Sequence, residues 1–182
     1  MDENEYGERI GPGTIRFRRL LPGPIERVWD YLTKPDLRGQ WLASGKTELL
    51  IGGRIELHFH NSKLSRQPDV EPPDKYKDEP EQAIFTGVVT RCEPPYLLAH
   101  TWTGDGENTE VCYELAERGD RVLLTLTHMK LDTSELELGV LGGWHRHLEI
   151  LADRLAGREP EAFWRRYRVL DAAYERRLAA QD

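Results

Sequence analysis

The spacing of apolar residues changes period along the chain, and each change marks an element. TIRFRRLL at 14–21 alternates well enough to predict a strand, and Pro22-Gly23-Pro24 ends it. Ile25, Val28, Trp29 and Leu32 then recur at helical spacing, with Pro24 suited to the first turn, and PDLRGQWL adds a second short helical piece ending near Trp41. From there the period drops from about 3.6 to 2, the signature of entry into a sheet. ELLI at 48–51, Gly52-Gly53 and RIELHFH at 54–60 predict a hairpin with Ile55, Leu57 and Phe59 on one face. Residues 62–81 hold Pro68, Pro72, Pro73 and Pro80 among charges and read as a long mobile loop inside the domain.

Four further strands are predicted at 83–93, 96–103, 109–117 and 121–131, separated by Pro94-Pro95, GDGEN and Arg118-Gly119-Asp120. Short turns between close strands indicate an antiparallel meander rather than parallel crossovers. One face of it carries Leu98, His100, Trp102, Val111, Tyr113, Leu115, Val122, Leu124, Leu126 and His128. The helical period then returns. Leu141, Trp144, Leu148, Leu151 and Leu155 form one stripe with Gly157 as a stop, and after Pro160 a second stripe runs through Phe163, Tyr167, Leu170, Tyr174 and Leu178. The order is a strand, two short helices, six strands and two longer helices, an α+β arrangement. Residues 1–13 read as a flexible lead, 14–157 as the domain and 158–182 as a C-terminal extension. The apolar sheet face needs cover, and the helix at 133–156 is the element long enough to provide it. A twisted sheet curving around that helix leaves space between the two, and that space is the expected site.

Composition narrows the setting. The chain has 182 residues and a formal charge of −7, consistent with one domain that needs no disulfide or metal to fold. Net acidity argues against a nucleic-acid groove, which depends on Lys and Arg neutralising phosphates. No apolar run reaches the length of a membrane span, and the acidic start lacks the basic end of a signal peptide, so neither membrane insertion nor secretion is expected. The two cysteines, Cys92 and Cys112, suit reduced packing residues in a cytoplasmic protein.

Several segments in this order resemble a known family: PIERVWDYLTKPDLRGQWL, the Gly52-Gly53 hairpin, TWT at 101–103, LTLTHMKL at 124–131 and GWHRHLEILADRLAG at 143–157. Together they are similar to the START-like, or SRPBCC, superfamily, in the branch related to heat-shock-protein-90 ATPase activator homologues. The resemblance covers roughly residues 14–157, and the final helix looks like an extension of some bacterial members. It implies a helix-grip fold, a curved antiparallel sheet around a long C-terminal helix with a deep cavity between them. It also implies binding of lipids, sterols, polyketides or other apolar molecules, with cyclisation or dehydration in a few members. Chaperone-activating relatives usually carry an additional N-terminal domain.

The expected ligand-facing residues are Trp41, Phe59, His100, Trp102, Tyr113, Leu126, His128, Trp144, Leu148 and Leu151. Each has a packing alternative, because large aromatics dominate cores and buried histidines are commonly held by backbone groups. Trp102 is the foremost cavity residue. His58 and His60 share a strand face but no third ligand follows, so no metal is expected. His145 and His147 sit about 200° apart on a helix, and His145 with Glu149 reads as an i, i+4 surface pair. No nucleophile elbow, phosphate loop or dinucleotide fingerprint is present, and neither a catalytic residue nor a cofactor is assigned. The leading reading is binding of a hydrophobic small molecule. One alternative is a cyclase or dehydratase in which His100, His128 or Tyr113 moves a proton on a bound carbonyl compound. Another is a stress-related or co-chaperone-like interaction protein using 62–81 or the last helix, whose aromatic stripe either packs on the domain or joins a homodimer.

Overall fold

A single seven-stranded antiparallel sheet, in the order β1-β2-β7-β6-β5-β4-β3, forms the body of the chain. The computed structural model describes residues 5–104 and 107–180, so the turn expected at 104–108 falls partly outside the described residues. The strands are β1 (Glu8–Gly11), β2 (Thr14–Pro22), β3 (Arg54–Phe59), β4 (Ala83–Glu93), β5 (Leu97–Gly104), β6 (Glu107–Arg118) and β7 (Arg121–Met129). Helices α1 (Ile25–Thr33) and α2 (Pro35–Arg38) connect β2 to β3; α3 (Ser134–Leu155) and α4 (Phe163–Ala179) follow the sheet. The sheet and α3 make the helix-grip arrangement. Its inward parity runs as the alternation requires: Leu98, His100, Val111, Tyr113, Val122, Leu124, Leu126 and His128 are all buried. The α3 stripe of Leu141, Trp144, Leu148, Leu151 and Leu155 meets them. Thr133 caps α3, its side chain accepting from the Leu136 amide at 3.1 Å.

Two local expectations change. Residues 8–11, within the segment read as a flexible lead, form β1 and pair with β2. ELLI at 48–51 is a turn rather than a strand, and it leaves Leu50 and Ile51 59% and 72% exposed. The cause lies in the two glycines. Gly52 adopts φ +85°, and the turn attaches to β4, with Gly52 donating to the Val89 carbonyl and Val89 donating to the Gly53 carbonyl, both at 2.8 Å. The stretch beside β3 is instead Ser44 and Thr47, which bridge to His58 and Ile55.

The loop containing Ser44 is held by a buried cation. Arg38 is 2% exposed and donates to the carbonyls of Ala43 (2.9 Å), Gly45 (2.7 Å) and Glu56 (2.9 Å) and to Thr47 Oγ1 (2.5 Å). Its acceptors are neutral dipoles, so burial lowers the guanidinium to about 10 while leaving it charged.

The final helix folds back on α3. Phe163, Tyr167, Leu170 and Tyr174 are buried within the chain, and the Tyr174 hydroxyl accepts from the Gly7 amide at 2.7 Å. This covers the pair read as surface decoration. His145 is fully buried, with Nδ1 2.9 Å from the Tyr174 hydroxyl and Nε2 3.5 Å from Glu149 Oε1. Glu149 also meets Arg166 at 2.6 Å and Arg146 at 3.0 Å. Burial alone would raise the Glu149 carboxyl, but His145 and Arg166 at its oxygens outweigh it and hold the group at about 2.

Candidate functional site

The interval between the sheet and α3 is filled by rings. Trp102 lies 5.2 Å from Trp144 and 5.6 Å from Phe59, centroid to centroid, and Phe59 lies 5.2 Å from Phe85. These separations suit edge and tilted aromatic packing. A cavity of about 110 Å³ remains beside Leu42, Phe59, Trp102, His128, Gly143 and Trp144. Next to it lies a much larger cleft of about 880 Å³. Phe59, Trp102 and His147 border both spaces.

The expected site residues therefore divide. Phe59, Trp102, His128 and Trp144 line one or both spaces. Trp41, His100, Tyr113, Leu126, Leu148 and Leu151 are buried behind the wall and border neither. Inward parity brings a side chain to the core side of the sheet, but α3 and the large rings already occupy most of that side. The deep interior cavity implied by the family resemblance is correspondingly reduced, and the roomy part lies at its mouth.

The segment read as a mobile loop builds that mouth. It includes short 3-10 turns at Asn61–Lys63 and Asp74–Tyr76 and runs as a strap over α4. Asp69 reaches across 95 residues to cap that helix: Oδ2 accepts from the Trp164 amide at 2.9 Å and Oδ1 from the Arg165 amide at 3.0 Å. Arg168 donates to the carbonyls of Glu71 (2.8 Å) and Pro72 (3.0 Å), and Lys75 pairs with Asp171 at 2.7 Å. The hydroxyls of Tyr76 and Tyr167 lie 2.7 Å apart. A proline-rich stretch of backbone that cannot enter a sheet is thus fastened to α4 by side chains of both segments. It brings Tyr76 and Trp164 together at 5.7 Å as the outer aromatic wall.

The histidines are fixed by their hydrogen bonds. Trp144 Nε1 donates to His128 Nδ1 at 2.9 Å, which places the His128 proton on Nε2; that nitrogen donates to Thr109 Oγ1 at 2.8 Å, and Thr109 donates to the Trp102 carbonyl at 3.1 Å. This relay ties α3 to β7, β6 and β5. Burial lowers His128 to about 3, and nearby His100 adds to the effect. His100 Nδ1 donates to the Thr101 carbonyl at 2.9 Å, and burial lowers it to about 4. His147 Nδ1 donates to the Trp41 carbonyl at 2.7 Å, so Nε2 carries a lone pair; burial lowers this ring to about 4 as well. All three rings are neutral near pH 7.

His147, Phe85, Tyr76 and Trp164 border the cleft without having been expected there. Phe85 was accessible to parity, since it faces Leu57 across the β3-β4 ladder. Tyr76 and Trp164 carry no such signal, because only the docking of the strap on α4 joins them. His58 and His60 turn to carboxylates, His58 to Glu56 and His60 to Glu81. Among the described residues no group of three or more His, Cys, Asp or Glu could hold a metal ion, and no helix is long and apolar enough to cross a membrane. Cys92 and Cys112 are free thiols.

Comparison with known proteins supplies the remaining observation. Residues 22–156 match the family model described as Activator of Hsp90 ATPase homolog 1-like protein. The protein encoded by gene BPP1335 from Bordetella parapertussis is 41% identical, with a TM-score of 0.77, over 94% of this chain and 90% of that one. CalU16 from Micromonospora echinospora is 24% identical, with a TM-score of 0.65, over 89% of this chain and 86% of its own. No curated protein matches the sequence.

Proposed function

Since the chain belongs to the family of Activator of Hsp90 ATPase homolog 1-like proteins, within the START-like superfamily, we propose that it binds an apolar or amphipathic small molecule in the cleft between the strap and the sheet. The observation that carries this reading is the continuous aromatic wall of Phe59, Phe85 and Trp102, which runs from the ring-filled interior into a space of about 880 Å³. Concave sites of roughly 300–1,000 Å³ with apolar walls and a few polar groups are the usual form of small-molecule pockets. His147 contributes one such polar group, a neutral ring with one nitrogen fixed by the Trp41 carbonyl.

Native mass spectrometry and solvent extraction of gently purified protein should recover a small hydrophobic molecule or show its uptake from a mixed lipid and polyketide extract. Trp102→Ala should weaken that uptake roughly tenfold, the loss of about 1.4 kcal/mol of contact, with a smaller proportional effect on stability because Trp102 is only partly buried. Uptake unchanged by Trp102→Ala, together with a large loss of stability, would return Trp102 to a packing role and remove the basis of the proposal.

A further inference from the structure

The cleft has a charge asymmetry that its aromatic wall does not require. Among the described residues bordering it, five are carboxylates, Asp69, Glu71, Asp74, Glu79 and Glu81, against two cations, Lys77 and Arg168. Arg168 is engaged with the Glu71 and Pro72 carbonyls, and hydrogen bonds from Ser62 and His60 hold the Glu81 carboxyl below its usual range. Asp69 accepts from the Trp164 and Arg165 amides at the start of α4. The neighbouring Lys75 is paired with Asp171. The rim is therefore net negative, and Phe59, Tyr76, Phe85, Trp102 and Trp164 line the same space. Carboxylates around aromatic faces attract a cation twice, through the local field and through the ring quadrupoles. The same rim repels a carboxylate or phosphate headgroup.

Resting on the ligand-binding reading above, we infer that the cleft selects amphiphiles with a cationic head, an amine or quaternary ammonium on an apolar body, over those with an anionic head. The head sits at the rim near Glu71 and Asp74, and the apolar body lies along Phe59, Phe85 and Trp102.

A ten-carbon series separates the two levels of the argument. Decyltrimethylammonium, 1-decanol and decanoate, each below its aggregation limit, are titrated by calorimetry and intrinsic tryptophan fluorescence. The cation should bind about tenfold more tightly than decanoate at low salt, with 1-decanol between them, and salt should narrow the gap because the rim carboxylates are exposed to solvent. Glu71→Gln with Asp74→Asn changes two exposed side chains, keeps the backbone carbonyl used by Arg168, and should shrink the preference to roughly threefold or less. Decanoate binding as tightly as the cation, or a preference untouched by the double variant, overturns the charge selection while leaving the cleft as a binding site. Failure of all three probes to bind overturns the cleft reading and the selection together.

Discussion

Acidification from about pH 7.5 to 5.5 should destabilise the domain by about 4 kcal/mol, through three histidines that fold neutral. His100, His128 and His147 are buried and lowered to about 4, 3 and 4, whereas an exposed histidine titrates near 6.5. Below that value each ring in the unfolded chain takes up a proton that the folded ring refuses. The unfolded state then holds more protons, so stability falls as pH falls. At pH 5.5, one unit below the unfolded value, each ring contributes about 1.4 kcal/mol of loss, which gives about 4 kcal/mol for three. Lowering of His145 acts in the same direction. Glu149 adds nothing at pH 5.5: its folded value near 2 lies below its ordinary 4.5, so its contribution is present above 4.5 and is lost between about 4.5 and 2.

A loss of about 4 kcal/mol is a large share of the 5–15 kcal/mol typical of a domain. Urea unfolding followed by tryptophan fluorescence at about pH 7.5, 6.5 and 5.5 should therefore show a midpoint that falls by about a quarter of the total shift between 7.5 and 6.5 and by the remaining three quarters between 6.5 and 5.5. His147→Gln keeps an amide able to donate to the Trp41 carbonyl and should remove about a third of the pH-dependent loss. A midpoint that does not move between pH 7.5 and 5.5 would refute the reasoning, as would a wild-type slope in His147→Gln.

Three further substitutions probe the framework of the site. Arg38→Met leaves the carbonyls of Ala43, Gly45 and Glu56 without their donor and should cost about 3 kcal/mol or more in urea unfolding; a loss below about 1 kcal/mol would mean that the loop rearranges freely. Asp69→Ala removes the cap at the Trp164 and Arg165 amides and should cost about 1 kcal/mol, with faster hydrogen exchange at those two amides as the diagnostic result. Thr109→Val breaks the relay between His128 and the Trp102 carbonyl in a buried position and should cost about 1–3 kcal/mol; restoration of the parent's stability by Thr109→Ser would show that the hydroxyl is responsible.

The sheet and α3 were legible because each depends on a local period. Leu124, Leu126 and His128 alternate, Trp144, Leu148 and Leu151 repeat at helical spacing, and burial follows both patterns. The site was only half legible. Parity tells which face of a strand Tyr113 or Leu126 takes, but not whether a ring from another element already fills the space before it. The strap was illegible for a different reason. Its fixation on α4 depends on Asp69, Lys75 and Tyr76 meeting residues more than 90 positions away, and no local period encodes such a meeting. The same remoteness hid His145: an i, i+4 pair with Glu149 looks exposed until α4 folds over it. ELLI failed because a positive-φ glycine gave the following turn hydrogen bonds to β4, an option that strand propensity does not weigh.

The placement of the histidines also bears on which chemistry the cleft can support. A proton carrier must be within hydrogen-bond reach of the bound molecule and must be able to change its protonation state near the working pH. His100 and Tyr113 border neither space. His128 borders the small cavity, but one nitrogen accepts from Trp144 and the other donates to Thr109, so a proton transfer would have to break the relay that joins α3 to the sheet. The three groups expected to move a proton are therefore structural in their present geometry. His147 borders both spaces with Nδ1 fixed on the Trp41 carbonyl, and burial keeps it neutral until about pH 4. A neutral ring with its proton held elsewhere is suited to accept a hydrogen bond from a ligand hydroxyl or N–H. It is poorly matched to general catalysis near pH 7, where the effective acid or base has a pKa close to the working pH. Under the proposed ligand-binding reading, ring packing would shape the apolar body, the Nε2 of His147 would offer one acceptor to a donor group, and the negative rim would select the charge of the head, while the locked relay only holds α3 against the sheet.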